Sequence, residues 1–174
     1  MEINFNEIKQ EILRRAKKAS ACKHEYGRAY AAETISELSQ VIKENFDWAC
    51  DHGVLTVDLI EQYKEDFSAN DIYANRNVKS GYLLCSNATV EAYGNATVRA
   101  YENAVVEAYG NAKVEAYDSA TVEACDNTTV RACNNAYCTS YFTIDCKLSD
   151  NAIYRVRDTN TVYYADSDIK FVKQ

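Results

Sequence analysis

The chain has 174 residues, with 14 Tyr, no Pro, seven Cys and a net charge of −7. That acidity speaks against a general nucleic-acid binder, which needs a basic footprint to neutralise phosphates. The length suits one to two small domains, and an odd Cys count scattered over both halves speaks against a disulfide framework.

The N-terminal stretch MEINFNEIKQEILRR lacks an apolar core of signal-peptide length. No run in the chain approaches the ~18 apolar residues of a membrane span. The expectation is a cytosolic protein whose thiols stay reduced. The triplets beginning at Asn87, Asn95 and Asn127 match a glycosylation sequon, but in such a protein they are only letters of a repeat.

Residues 1–77 read as a helical domain of about three helices. Phe5, Ile8, Ile12, Leu13 and Ala16 mark the first apolar stripe, and the basic run Arg14, Arg15, Lys17, Lys18 lies late in that helix, where the macrodipole favours it. A longer second helix is expected from about Tyr26 to Ala49, on the stripe Ile35, Leu38, Val41, Ile42, Phe46 and Ala49, with His52-Gly53 as its stop signal. Thr56 can cap a third, TVDLIEQYKEDF.

The two His of the chain sit in matched triplets, Cys22-Lys23-His24 and Cys50-Asp51-His52. These are zinc-ligand types. They flank the long helix, and about 25 residues at ~1.5 Å each separate the pairs by roughly 35 Å. One ion cannot bridge that gap within one chain, which leaves a site between two chains. The plainer reading is two helix ends that each carry a Cys and a His. No cofactor is expected.

Residues 78–174 read as a solenoid with a C-terminal cap. From Asn87 the octads are NATVEAYG, NATVRAYE, NAVVEAYG, NAKVEAYD, SATVEACD and NTTVRACN, and degenerate octads continue to the last residue. A strand alternates its side chains, so Ala88, Val90 and Ala92 point one way, and Thr89, Glu91 and Tyr93 the other. The inward set is small and apolar. Asn, Gly and Asp occupy the boundaries, where corners demand unusual backbone angles. Stacked coils then bury a continuous core and pair each strand with the next.

Eight-residue sides allow two coils. A two-sided coil of 16 residues has a thin core that Ala-Val-Ala can fill, whereas a three-sided coil of 24 would leave voids. Charge points the other way. At period 16, Glu91, Glu107 and Glu123 stack like on like, while at period 24 Arg99 meets Glu123, and Glu107 meets Arg131. Solvated pairs are worth a fraction of a kcal/mol and poor packing can cost more, which favours the two-sided coil. The expected class is therefore α+β, helices followed by a parallel β-solenoid.

Tyr93, Tyr101, Tyr109 and Tyr117 fall in ladders, followed by Cys125, Cys133 and Tyr141. Cys in that column reads as drift at a tolerant edge. Cys138 and Cys146 occupy the Val90 column and read as core. The last octads enlarge the core with Tyr154, Val162 and Tyr164, and a phase shift at Ile169 and Phe171 reads as a cap on the sheet end or a dimer contact.

These octads resemble repeats of bacterial and phage proteins, often associated with mobile elements; the resemblance covers roughly residues 78–174 and names no activity. A looser analogy is to pentapeptide-repeat proteins, some of which are acidic solenoids that imitate the DNA duplex and inhibit topoisomerases. The present chain lacks their five-residue period and their central Leu or Phe, so that analogy is one of architecture alone.

Catalysis is not expected. The chain shows no nucleophile-base motif and no phosphate loop, and a repeat supplies identical groups where a catalytic site needs unlike ones. A binding module is the leading reading. Glu91, Glu107, Glu115 and Glu123, rimmed by Tyr93, Tyr101, Tyr109 and Tyr117, can meet a basic protein surface that normally holds nucleic acid. The expected partner is a protein, with no direct nucleic-acid binding and no membrane, and with a homodimer as a further arrangement. The expectation on this reading is a phage- or element-encoded inhibitor of a host nucleic-acid enzyme. The alternatives are a structural, self-assembling solenoid, and an acidic face that serves solubility alone.

Overall fold

The computed structural model describes residues 2–165 and 171–173. The chain divides into two compact units, Met1–Ala74 and Asn75–Gln174.

The first unit holds α1 (Glu2–Lys18), α2 (Lys23–Ala31), α3 (Ile35–Glu44), α4 (Phe46–Asp51), α5 (Val57–Gln62), α6 (Lys64–Ser68) and the short strand β1 (Ile72–Ala74). Ile8, Ile12, Leu38, Ile42, Phe46, Leu59, Ile60 and Phe67 are buried in its core. The expected stops hold: α4 ends at Asp51, Gly53 takes φ +65°, and the Thr56 hydroxyl accepts from the Leu59 N–H at 3.3 Å.

The expected count of three helices does not hold. The long helix over 26–49 is broken twice. Thr34 is extended (φ −132°), its hydroxyl accepts from the Glu37 N–H at 3.2 Å, and the Glu37 carboxylate accepts from the Glu33 N–H at 2.7 Å. A Thr followed three residues later by Glu is a helix-start signal, and here it restarts the chain after Ala32. Asn45 (φ −119°) makes the second break and donates to the Val41 carbonyl and the Glu25 carboxylate, both at 2.9 Å. Tyr63, also at φ −119°, divides the third helix in the same way.

The second unit is a two-sided β-solenoid. Its strands are β2 (Tyr82–Ser86), β3 (Thr89–Ala92), β4 (Thr97–Tyr101), β5 (Val105–Ala108), β6 (Lys113–Ala116), β7 (Thr121–Ala124), β8 (Thr129–Ala132), β9 (Tyr137–Ser140), β10 (Asp145–Leu148), β11 (Ile153–Val156), β12 (Thr161–Tyr164) and β13 (Phe171–Lys173). Even strands β2 to β10 form one parallel sheet, and odd strands β3 to β11 form the other. Val98 pairs with Val114 and Val106 with Val122, so each coil takes 16 residues. Like-charged Glu91, Glu107 and Glu123 do stack directly. The core is thin: Val90, Ala92, Val106, Ala108, Val122 and Ala124 of one sheet, and Val98, Ala100 and Ala116 of the other, expose no surface. Packing sets the period, and the solvated acids accommodate it.

The corners explain the eighth letter of the octad. Gly94, Gly110, Asp118, Asp126, Asn134 and Asp150 all lie at φ between +55° and +71°, a region open to Gly and tolerated by Asn and Asp. Their side chains also tie coil to coil. The N–H of Glu102 donates to Asp118 at 3.0 Å, that of Asp118 to Asn134 at 3.2 Å, and that of Asn134 to Asp150 at 3.0 Å. The first letter forms a second ladder, in which Asn103 donates to Asn87 at 3.1 Å and Asn151 to Asn135 at 3.2 Å.

After β11 the direction reverses. β12 runs antiparallel to β11, and β13 antiparallel to β12. This hairpin caps one end of the odd-strand sheet. Tyr154 is buried and accepts from the Ile144 N–H at 3.0 Å. Val162 is half-buried, and Tyr164 is 43% exposed, so Tyr164 does not enlarge the core as expected. The cause is the reversal, which ends the regular eight-residue alternation. Ile169 and the side chain of Phe171 lie outside the described residues.

Candidate functional site

A 16-residue coil sends successive octads to opposite sheets, and this divides the four expected acids. Glu91, Glu107 and Glu123 stand in one outward column on β3, β5 and β7. Glu115 stands on β6 of the other sheet, between Arg99 on β4 and Arg131 on β8. The acidic face read from the sequence is therefore a strip of three, with the fourth acid on the opposite side of the coil.

The tyrosines divide likewise. Tyr93 and Tyr109 stack at 4.9 Å between ring centroids, and Tyr101 and Tyr117 at 5.0 Å, both nearly parallel. Both spacings follow the strand repeat of ~4.8 Å. Tyr93 and Tyr109 also each serve the acid two residues before them, on the same strand face. The Tyr93 hydroxyl donates to Glu91 at 2.6 Å, and that of Tyr109 to Glu107 at 2.8 Å. These hydrogen bonds raise both phenols, Tyr109 to about 12. In the third unit Cys125 replaces Tyr, and Glu123 instead accepts from Arg157 Nη2 at 2.5 Å. Stacked like charges about 5 Å apart cost under about 1 kcal/mol per pair in water. Phenol donors and one Arg thus hold the strip in a defined shape.

On the opposite sheet Arg99 changes the chemistry. Its side chain is 1% exposed. Nε donates to the Tyr101 hydroxyl at 2.8 Å, Nη2 to the Tyr117 hydroxyl at 2.6 Å, and Nη1 to the Glu115 carboxylate. Tyr117 also donates to Glu115 at 2.7 Å. Burial works against the guanidinium charge, but the phenols and the carboxylate outweigh it and the pKa rises. Glu115 is thereby built into the fold. The sequence signal for this was present: at period 16, Arg99, Glu115 and Arg131 fall in one column with alternating sign.

Among the described residues no cysteine forms a disulfide. Cys138 is buried as expected, and the neighbouring Cys146 thiol and burial both push it up. Cys146 is half-buried. Cys133 is also buried, so its position is not the tolerant edge the sequence suggested.

In the helical unit, the break at Thr34 removes the basis for a ~35 Å separation of Cys22-His24 from Cys50-His52. Cys22 lines the same cavity of about 240 Å³ as Asn45 and Trp48. Its thiol caps α2, accepting from the Glu25 N–H at 3.4 Å. His24 Nδ1 lies 2.8 Å from the Glu25 carboxylate. His52 stacks on Trp48 at 4.6 Å, and its Nδ1 lies 2.9 Å from the Trp48 carbonyl. Among the described residues, no three His, Cys, Asp or Glu side chains gather as metal ligands. Nor is any described helix long and apolar enough to cross a membrane.

Comparison with protein-family models, curated proteins and solved structures gives no match, so function is argued from the residues themselves.

Proposed function

We propose that the protein is a non-catalytic binding module that docks the Glu91, Glu107, Glu123 strip of its odd-strand sheet on a basic protein surface. The observation that carries this reading is the strip's pre-ordering: three stacked carboxylates, two of them fixed by Tyr93 and Tyr109 hydroxyls and the third by Arg157. Side chains already held in place lose little freedom on binding, and Tyr supplies rigid contact area with a polar tip. A regular acidic face suits a groove that ordinarily holds a polyanion. With the resemblance to mobile-element proteins, this favours a host nucleic-acid enzyme as the target and inhibition as the outcome. Tyr101, Tyr117 and Glu115 leave the proposed contact set, because Arg99 occupies them.

The test is affinity capture of the tagged chain from lysate of the cells that encode it, with and without nuclease. One nucleic-acid enzyme, retained after nuclease and released by salt, is the expected result. An empty capture would leave a self-contained structural solenoid whose acids serve solubility.

A further inference from the structure

The two sheets present opposite charge at different heights of the solenoid. The odd-strand sheet carries Glu91, Glu107 and Glu123 on its first three coils. The even-strand sheet carries Lys113, Arg131 and Lys147 on coils three to five, all three exposed. With Glu115, Thr129 and Ser149, these cations line one shallow groove of about 560 Å³. The acids of that region are Glu115, already held by Arg99 and Tyr117, and Asp145 at the sheet edge.

We infer that this groove receives the acidic strip of a second copy of the same chain. Arg131 and Lys147 face Glu91 and Glu107, which phenols hold, while Glu123 already meets Arg157; opposite charges set this way fix register between protein surfaces. The repeat supplies the match in length. Both faces advance by one strand per coil, ~4.8 Å, so Arg131 and Lys147, which share one column, keep step with Glu91 and Glu107 over two coils, while Lys113 flanks them in the neighbouring column. Glu91 lies on coil one and Arg131 on coil four, so paired copies are offset by three coils, about 14 Å along the axis. The contact is heterologous: each copy uses its strip and leaves its groove open for another, so association extends sideways rather than closing at a dimer. The hairpin cap of β12 and β13 occupies one end of the odd-strand sheet, where it blocks strand addition. The inference shares the strip with the reading above, and a foreign basic surface competes for it.

Sedimentation velocity on the full chain tests this at ~0.05 M and ~0.5 M salt, which differ strongly in screening. Two charge-swapped variants are needed. Glu91→Lys/Glu107→Lys/Glu123→Lys makes both faces basic, and Lys113→Glu/Arg131→Glu/Lys147→Glu makes both acidic. The wild type should grow in mass with concentration at low salt only. Each variant alone should associate at least about tenfold more weakly, and an equimolar mixture of the two should regain association. Circular dichroism checks that each is folded, and triple Gln variants at the same positions replace any that is not. A wild type that stays monomeric at low salt, or a mixture no larger than its components, overturns the inference. A monomer that still captures a foreign partner would overturn only the self-docking.

Discussion

Arg99 on β4 donates through Nη1 to the carboxylate of Glu115, its neighbour one coil along on β6, and does so from a side chain that is 1% exposed. Arg131 approaches the same carboxylate from the next coil at 3.9 Å, with its side chain 61% exposed. One column thus holds a buried and a solvated arginine around one acid, and the two should differ sharply in worth. Removing one member of a buried pair strands its partner, so Arg99→Ala should cost about 2–3 kcal/mol, discounted from the fully buried case because Glu115 is part-exposed. Arg131→Ala should stay within about 0.5 kcal/mol. Urea unfolding of both variants measures the difference.

The two corner glycines should also differ. A Cβ on Gly94 (φ +62°) would stand 2.7 Å from the Lys79 carbonyl oxygen, a backbone atom. On Gly110 (φ +71°) the nearest atom is the Gly94 nitrogen at 3.2 Å. Both substitutions to Ala incur the left-handed backbone cost of about 1 kcal/mol. Gly94→Ala adds a clash with backbone, and should lose at least about 2 kcal/mol in total. Thermal melts should rank Gly94→Ala below Gly110→Ala.

Ser39 on α3 is fully buried, and its hydroxyl has no hydrogen-bond partner among the described residues. An unmet buried hydroxyl is costly, and Ala also has the better helix propensity. Ser39→Ala should therefore stabilise the chain, by roughly 1 kcal/mol. A lower melting temperature would show that the hydroxyl has a role in the native state.

Tyr109 titrates late, at about 12 against an ordinary 10, because its hydroxyl donates to Glu107. A raised pKa means the folded state holds the phenol proton more tightly than the unfolded state. The stability this gives is fully present below pH 10 and is lost as pH rises toward 12. Glu107→Gln should bring the phenol back toward 10, seen as earlier tyrosinate absorbance on alkaline titration.

The solenoid was legible in the sequence because each letter of the octad has one physical task. Val90 and Ala92 fill a thin core, Gly94 turns a corner, and Asn87 ties one coil to the next. The period was legible from volume, since Ala and Val cannot fill a wider coil. What escaped was the consequence of that period for the surface. Once octads alternate between sheets, Glu115 leaves the company of Glu107 and Glu123 and joins Arg99. In the helical unit the helix expected over 26–49 has two breaks, of which the apolar stripe over 35–49 conceals the one at Asn45, because side chains on one side of a bent path can keep helical spacing. The Thr34-Glu37 pair marked the first break; Asn45 marked the second only by its weak helix propensity.

The central claim is that Glu91, Glu107 and Glu123 form a contact strip and Glu115 a structural pair. Calorimetric titration of the captured partner with three folded proteins tests it most directly: wild type, Glu91→Lys/Glu107→Lys/Glu123→Lys, and Glu115→Gln. The account predicts that the triple reversal abolishes binding heat while Glu115→Gln binds as the wild type does, though it melts earlier. Undiminished binding by the triple reversal, or equal loss in a folded Glu115→Gln, would contradict it.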